Sequence, residues 1–320
     1  VFHVAVFGNH LVWEAAGLES DKASVLRQED LGTGRILTLA ANVLPDYGLV
    51  ATHGWVFYAT QAPSGRVQLA GVRYDGSGHM FLSGYLAAPI DGLGDVVGWA
   101  EVDGGEFNVL VRDATRKATW LAASIPRCSK EGCYRVDAVT LAHGGVVFDL
   151  GAVGPQPSRV VRRSFGAVHT STVEVPGDPQ PDLVPSSAGA LYYRFNHGWY
   201  RWNFGEERPH ATSYMGATPA SLLRFDEGHF FLLITHQGCR SAITAQKPDG
   251  RSMVLQRSRR IFRLSQSQKH ECAYVTDLTW TGHQAIAAWT IASAKAESSH
   301  EDAGLVGVIV AGRRTGALSH

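Results

Sequence analysis

The chain has 320 residues, of which 45% are hydrophobic and 18% charged, with a formal net charge of zero and four cysteines. That composition supports a large core and excludes the basic excess that marks most nucleic-acid domains. No apolar stretch reaches the length of a spanning helix, so no membrane span is expected.

In chain order, an apolar run ending near a large side chain keeps returning. It appears as "GNHLVWEA" (Trp13), "GWVFYAT" (Tyr58), "GDVVGWAE" (Trp99), "GGVVFDL" (Phe148), "GALYYRF" (Tyr193), "GHFFLLIT" (Leu232) and "HQAIAAWTI" (Trp289). The interval is about 46 residues, which is the period of a repeat architecture. A polar-turn hairpin follows each run, from "VLRQEDLGTGRILTL" in the first unit to "VIVAGRRTGALSH" in the last. Gly, Asp and Asn in such turns supply positive φ or side-chain turn bonds. Apolar residues alternate at period two rather than 3.6, so the elements are strands. "AAGLESDKASVLRQ" has some helical character, but it falls between two strands and is read as a long loop.

Each unit therefore reads as four strands, a to d. The expected fold class is all-β, a seven-bladed β-propeller of four-stranded antiparallel blades. One domain covers 1–320, with blades at approximately 1–45, 46–90, 91–136, 137–181, 182–218, 219–273 and 274–320. A pair of β-sandwiches would not account for seven copies in register. The pattern "VAVFGNHLVWEA…VLRQEDLGTGR" resembles the repeats of bacterial extracytoplasmic propellers of the TolB and YWTD-like kind. The resemblance covers the whole chain and concerns the fold. The WD, kelch and Asp-box signatures are absent. Propellers serve as hydrolases, lyases, lectins and docking platforms alike, so function has to come from a site.

With strand a innermost, the b–c and d–a connections emerge on one face, the top. The variable segments are 14–24, 149–158, 265–273 and 292–304, all of them top-face connections where function usually resides. All four cysteines map there too. The expected disulfides are Cys128–Cys133 and Cys239–Cys272, closing loops worth roughly 2 and roughly 4 kcal/mol in the chain-entropy model. Two disulfides imply an oxidising compartment, extracellular or periplasmic. Val1 opens in strand-like sequence without a signal peptide, so the chain reads as a mature form or a piece of a longer one.

Acidic residues recur at the d–a entries in "LPDYG", "PIDG", "RVDA" and "QPDL", giving Asp46, Asp91, Asp137 and Asp182. As structural residues they cap the turn into strand a. As functional residues they rim the channel mouth and bind an amine or a cation, with Ca²⁺ the candidate ion, although no contiguous calcium loop exists. No cofactor or other metal site is expected. The aromatic stretch "YYRFNHGWYRWNFG" (192–205) reads as a b–c hairpin with Tyr200, Trp202 and Phe204 on one face. Most of it is core, and Trp199 or Tyr200 beside the short turn is the candidate ligand-stacking surface.

The top face also gathers His197, His236, Arg240, His270 and Glu271. His197, His236 and Arg240 are the candidate catalytic residues for polysaccharide β-elimination, with Arg neutralising a uronate and His moving the proton. The expected function is a secreted or periplasmic binding platform for a protein or glycan ligand, built as a monomeric domain that forms no nucleic-acid complex. The alternative is a polysaccharide lyase or glycoside hydrolase on the same face. Closure of the ring is expected without a shared blade. Residues 1–5 should pair with 9–14, not with the c strand at 305–310.

Overall fold

The computed structural model describes residues 3–15, 24–82, 84–129, 132–142, 144–165, 170–175, 183–185, 190–195, 198–204, 206–211, 220–226, 230–237, 240–246, 252–257, 271–280, 285–293 and 303–311. Side chains are described as far as residue 175 and at 191, 200–204 and 206–211.

Among these residues neighbouring strands pair antiparallel, and they are grouped here in chain order. The first holds β1 (Val4–Phe7), β2 (His10–Ala15), β3 (Ser24–Asp30) and β4 (Arg35–Val43). The second holds β5 (Leu49–Thr52), β6 (Trp55–Gln61), β7 (Val67–Val72) and β8 (Met80–Phe81). The third holds β9 (Asp91–Leu93), β10 (Val96–Asp103), β11 (Glu106–Asp113) and β12 (Ala118–Pro126). A hairpin of β13 (Cys128–Ser129) and β14 (Gly132–Arg135) precedes the fourth, formed by β15 (Val139–Ala142), β16 (Gly145–Val153), β17 (Ser158–Ser164) and β18 (Thr170–Val175). The fifth holds β19 (Leu183–Pro185), β20 (Ala190–Phe195), β21 (Gly198–Asn203) and β22 (His210–Ala211). The sixth holds β23 (Ala220–Asp226), β24 (Phe230–Gln237), β25 (Arg240–Gln246) and β26 (Ser252–Arg257). The seventh shows β27 (Glu271–Trp280), β28 (Ala285–Ser293) and β29 (Ala303–Ala311).

The chain divides into two compact units, one of Val1–Pro45 with Tyr214–His320 and one of Asp46–Ser213. In the first, the inner strand β1 lies against β27, and β27 against β23. In the second, β5, β9, β15 and β19 are successive neighbours. Inner strands side by side are what radial packing of blades requires.

The repeat seen in the sequence is a register repeat. Trp13, Tyr58, Phe148 and Tyr193 each stand opposite the first residue of their inner strand, Val4, Leu49, Val139 and Leu183. Tyr58, Trp99 and Phe148 are buried. Trp13 is only half-buried, because in that strand the buried positions are Leu11, Val12 and Glu14. The side chains of Tyr193, Leu232 and Trp289 lie outside the described residues.

Two cores position the second unit. One joins Ala100, Phe107 and Val109 of the third group to Val139, Leu141 and Phe148 of the fourth. The other joins Val147, Val160 and Val173 of the fourth group to Leu191 and Trp202 of the fifth, with Tyr200 and Phe204 packed against it. The aromatic face of β21 is thus core, as period-two alternation in a two-sided blade demands.

Some boundaries differ from expectation. Residues 149–153 continue β16 instead of forming a loop, because β14 pairs with that end of the strand, Cys133 opposite Val153 and Arg135 opposite Gly151. The segment around the third-unit cysteines is itself a hairpin, with Cys128 opposite Cys133. β1 pairs with β2, Val4 opposite Trp13, and β29 pairs with β28, so the first group supplies its own inner strand. A fourth strand of the seventh group would fall beyond residue 311, outside the described residues.

Candidate functional site

The top end of the second and third groups carries a recess of about 490 Å³ lined by Arg66, Tyr85, Val102, Asp103 and Gly104. Local sequence builds it from both sides. Asp103 and Glu106 close β10 onto β11 across Gly104 and Gly105, whose φ angles of 56° and 96° are both left-handed. A two-residue hairpin loop with positive φ at both positions matches strand twist and selects glycine. Arg66 ends the turn between β6 and β7, where Ala62 N–H donates to Arg66 O at 2.8 Å and Gly65 N–H donates to Ala62 O at 2.9 Å.

Tyr85 sits between these two turns, on the connection from β8 to β9. Its placement is set by backbone bonds on both sides. Val102 N–H donates to Tyr85 O at 2.9 Å, Leu86 N–H donates to Val67 O at 2.9 Å, and Ala87 N–H donates to Ala100 O at 2.8 Å. Tyr85 remains 42% exposed. Tyr47, at the entry to β5, stands close enough that its phenol is raised first by burial, then by Tyr85 and Asp46. Below the rim, Glu101 is also raised, by burial, and is held by a Trp99 indole N–H at 3.4 Å.

A second polar cluster lies at the entry to β15. Asp149 is completely buried. Its Oδ1 accepts from the amides of Asp137 at 2.9 Å and Ala138 at 2.7 Å, while Oδ2 has no hydrogen-bond partner. Burial pushes this carboxyl up to about 7, against the pull of the Ala138 amide and with a further push from Asp137. The Asp137 carboxylate pairs with Arg135, which belongs to the hairpin closed by the Cys128–Cys133 disulfide. Gln156 Nε2 donates to Cys133 O at 2.6 Å.

The residues expected from sequence fall as follows. Asp46 is exposed in a 3₁₀ turn, Pro45–Tyr47, ahead of β5. Asp91 is the first residue of β9, and its Oδ2 accepts from the Thr140 hydroxyl at 2.6 Å and the Leu141 amide at 2.8 Å, joining two inner strands. Asp137 precedes β15 by two residues. Of these three acids Asp91 lies in a strand ladder, opposite Gly98, and the carboxylates of Asp91 and Asp137 are taken by protein donors. Among the described residues no three His, Cys, Asp or Glu side chains gather as a metal site. Asp182, His197, Cys239 and His270 lie outside the described residues. His236 and Arg240 flank the b–c turn of the sixth group, opposite Ser241 and Gln237. Their side chains, like that of Trp199 opposite Arg194, are outside the described set. Tyr200 is half-buried against the Leu191–Trp202 core. Cys272 is the second residue of β27, opposite Ala292, and not part of a connection.

Sequence reasoning passed over Asp149, Tyr85, Arg66 and Asp103. Asp149 left a trace, an acid inside the apolar run "GGVVFDL". The other three left none, since each is an ordinary turn residue until the connections come together.

No family model matches the sequence, and no curated protein matches it. Solved structures do. The β-propeller domain of the trilobed protease from Pyrococcus furiosus is similar with a TM-score of 0.63 at 8% identity, over 92% of each chain. A prolyl endopeptidase structure is similar with a TM-score of 0.60 at 9% identity, over 96% of this chain and 49% of that one, so this chain spans about half its length. A protein from Lactobacillus plantarum is similar with a TM-score of 0.54 at 12% identity, over 94% of this chain and 96% of that one. No described helix is long and apolar enough to cross a membrane. At such identities the likeness speaks to architecture, and together with the strand groups it makes this chain an all-β propeller.

Proposed function

We propose that this chain is an extracytoplasmic propeller that works as a binding platform, with a protein or glycan ligand seated on the top face. The observation that carries the reading is the recess at Tyr85, which is ordered by backbone bonds from two blades while its side chains stay open to solvent. Binding residues on connections held by a rigid frame are the usual arrangement in such folds. The Cys128–Cys133 disulfide supports an oxidising compartment.

The test compares two faces. The double variant Arg66→Ala/Asp103→Ala alters the top, and Arg116→Ala alters an exposed residue of the β11–β12 turn at the opposite end. Each protein is screened against a glycan array and an immobilised peptide library. Loss of binding in the top variant alone is the expected outcome. Loss in the Arg116 variant alone, or no binding by the parent protein to either library, overturns the platform. Release of unsaturated or shortened products from polysaccharide would instead favour the lyase or hydrolase reading with His197, His236 and Arg240.

A further inference from the structure

We infer that the recess between the β6–β7 and β10–β11 turns is a saccharide subsite, in which Tyr85 stacks a neutral pyranose ring while Arg66 and Asp103 bind its hydroxyls from opposite sides. The inference rests on the binding-platform reading and specifies its ligand.

The rim is one cation and one anion around an exposed aromatic ring. Among the described residues neither the Arg66 nor the Asp103 side chain is engaged by a protein partner. Guanidinium only donates hydrogen bonds and an ionised carboxylate only accepts them. A sugar hydroxyl does both, so adjacent hydroxyls on one ring satisfy both residues at once. The rim has no net charge, which disfavours a strongly ionic ligand. A tyrosine ring offers a flat apolar face with little conformational entropy to lose. A volume of about 490 Å³ lies within the range of small-ligand sites.

A peptide ligand fits less well, for a reason visible in the backbone. Extended peptides commonly bind by adding hydrogen bonds at a free strand edge. Here Val102 N–H is already given to Tyr85 O, and Val67 O already accepts from Leu86 N–H. The connection through Tyr85 occupies both flanking edges, and only side chains remain to be read.

Isothermal titration with cellobiose, maltose, chitobiose and lactose tests this, using the parent protein, Tyr85→Ala, Tyr85→Phe, Asp103→Asn and Arg116→Ala. The expected result is millimolar or tighter binding of at least one disaccharide. Tyr85→Ala should weaken it by at least about tenfold, Asp103→Asn should weaken it too, Tyr85→Phe, which keeps the ring, should weaken it less than Tyr85→Ala, and Arg116→Ala should leave it unchanged. Tyr85 lies on an exposed connection and Arg116 and Asp103 in exposed turns, so circular dichroism should show all variants folded. If no disaccharide binds the parent protein, the saccharide assignment falls. In that case peptide-library binding lost in Tyr85→Ala would leave the platform standing with a different ligand. If a disaccharide binds equally well to parent and Tyr85→Ala, the platform stands and this subsite is wrong.

Discussion

Asp149 is a carboxylate whose surroundings oppose its charge. Two amides satisfy one oxygen, but the other has no partner and the side chain is sealed from water. In the unfolded chain the group titrates near 3.8, and burial raises it to about 7 in the folded protein. Between those values the folded state holds a proton that the unfolded chain has released. The group therefore penalises folding least below the unfolded value. Its penalty grows as pH rises through this window and is constant above about 7, reaching at most about 4 kcal/mol. Asp149→Asn keeps an acceptor oxygen for both amides and removes the charge. In urea denaturation the variant is expected to match the parent near the acid end of the window and to exceed it at pH above the folded value. A variant weaker at both ends would show that the ionised carboxylate holds the strand entry. Trp99 is a simpler case, 1% exposed in the core of the third group. Trp99→Ala should cost about 3–5 kcal/mol, read as a lower denaturation midpoint.

At the scale of elements, the β13–β14 hairpin shows how a connection becomes structure. Its cysteines face each other across the ladder, Tyr134 N–H donates to Arg127 O at 2.8 Å, and Arg159 lies 5.6 Å over the buried Tyr134 ring. β14 then extends the fourth group by pairing with β16. The disulfide closes a short loop, worth roughly 2 kcal/mol in the chain-entropy model. Three other restraints remain without it. The double variant Cys128→Ser/Cys133→Ser should therefore fold, with faster amide exchange at Gly132–Tyr134 and little change at Phe148. Faster exchange at Phe148 as well would mean that the hairpin supports the whole blade. Asp91 performs a related task between elements, tying β9 to β15 through Thr140 and Leu141.

At the scale of the whole molecule, acids and bases balance at 29 each. Without a basic excess the net charge supplies no long-range attraction for phosphates. Duplex DNA titrated at low salt is expected to give no mobility shift, and a salt-sensitive shift would contradict this. The repeat of about 46 residues was readable because an apolar run, a polar turn and a hairpin return in the same order, and each return became a group of paired strands. Of the four acids expected at the channel mouth, Asp46, Asp91 and Asp137 each stand at the entry to the inner strand of their own group, and Asp182 lies outside the described residues. Spacing in sequence fixes which blade an acid belongs to, while its surroundings are local, a 3₁₀ turn ahead of β5 for Asp46 and the first position of β9 for Asp91.

The sequence by itself determined strand identity, the period and the burial of Tyr58, Trp99 and Phe148, because two-sided blades force alternation and local turn chemistry sets each hairpin. It also determined the Cys128–Cys133 pair, since so short a loop leaves the two thiols near one another. Only the tertiary structure decided what lies between blades. The recess at Tyr85 requires the β6–β7 turn, the β8–β9 connection and the β10–β11 turn to meet, and no short-range pattern encodes where three separate segments converge. The burial of Asp149 was decided in the same way. An acid in an apolar strand reads identically whether its end reaches water or, as here, is capped by the backbone of Asp137 and Ala138 and covered by packing that exists only once the blades have assembled.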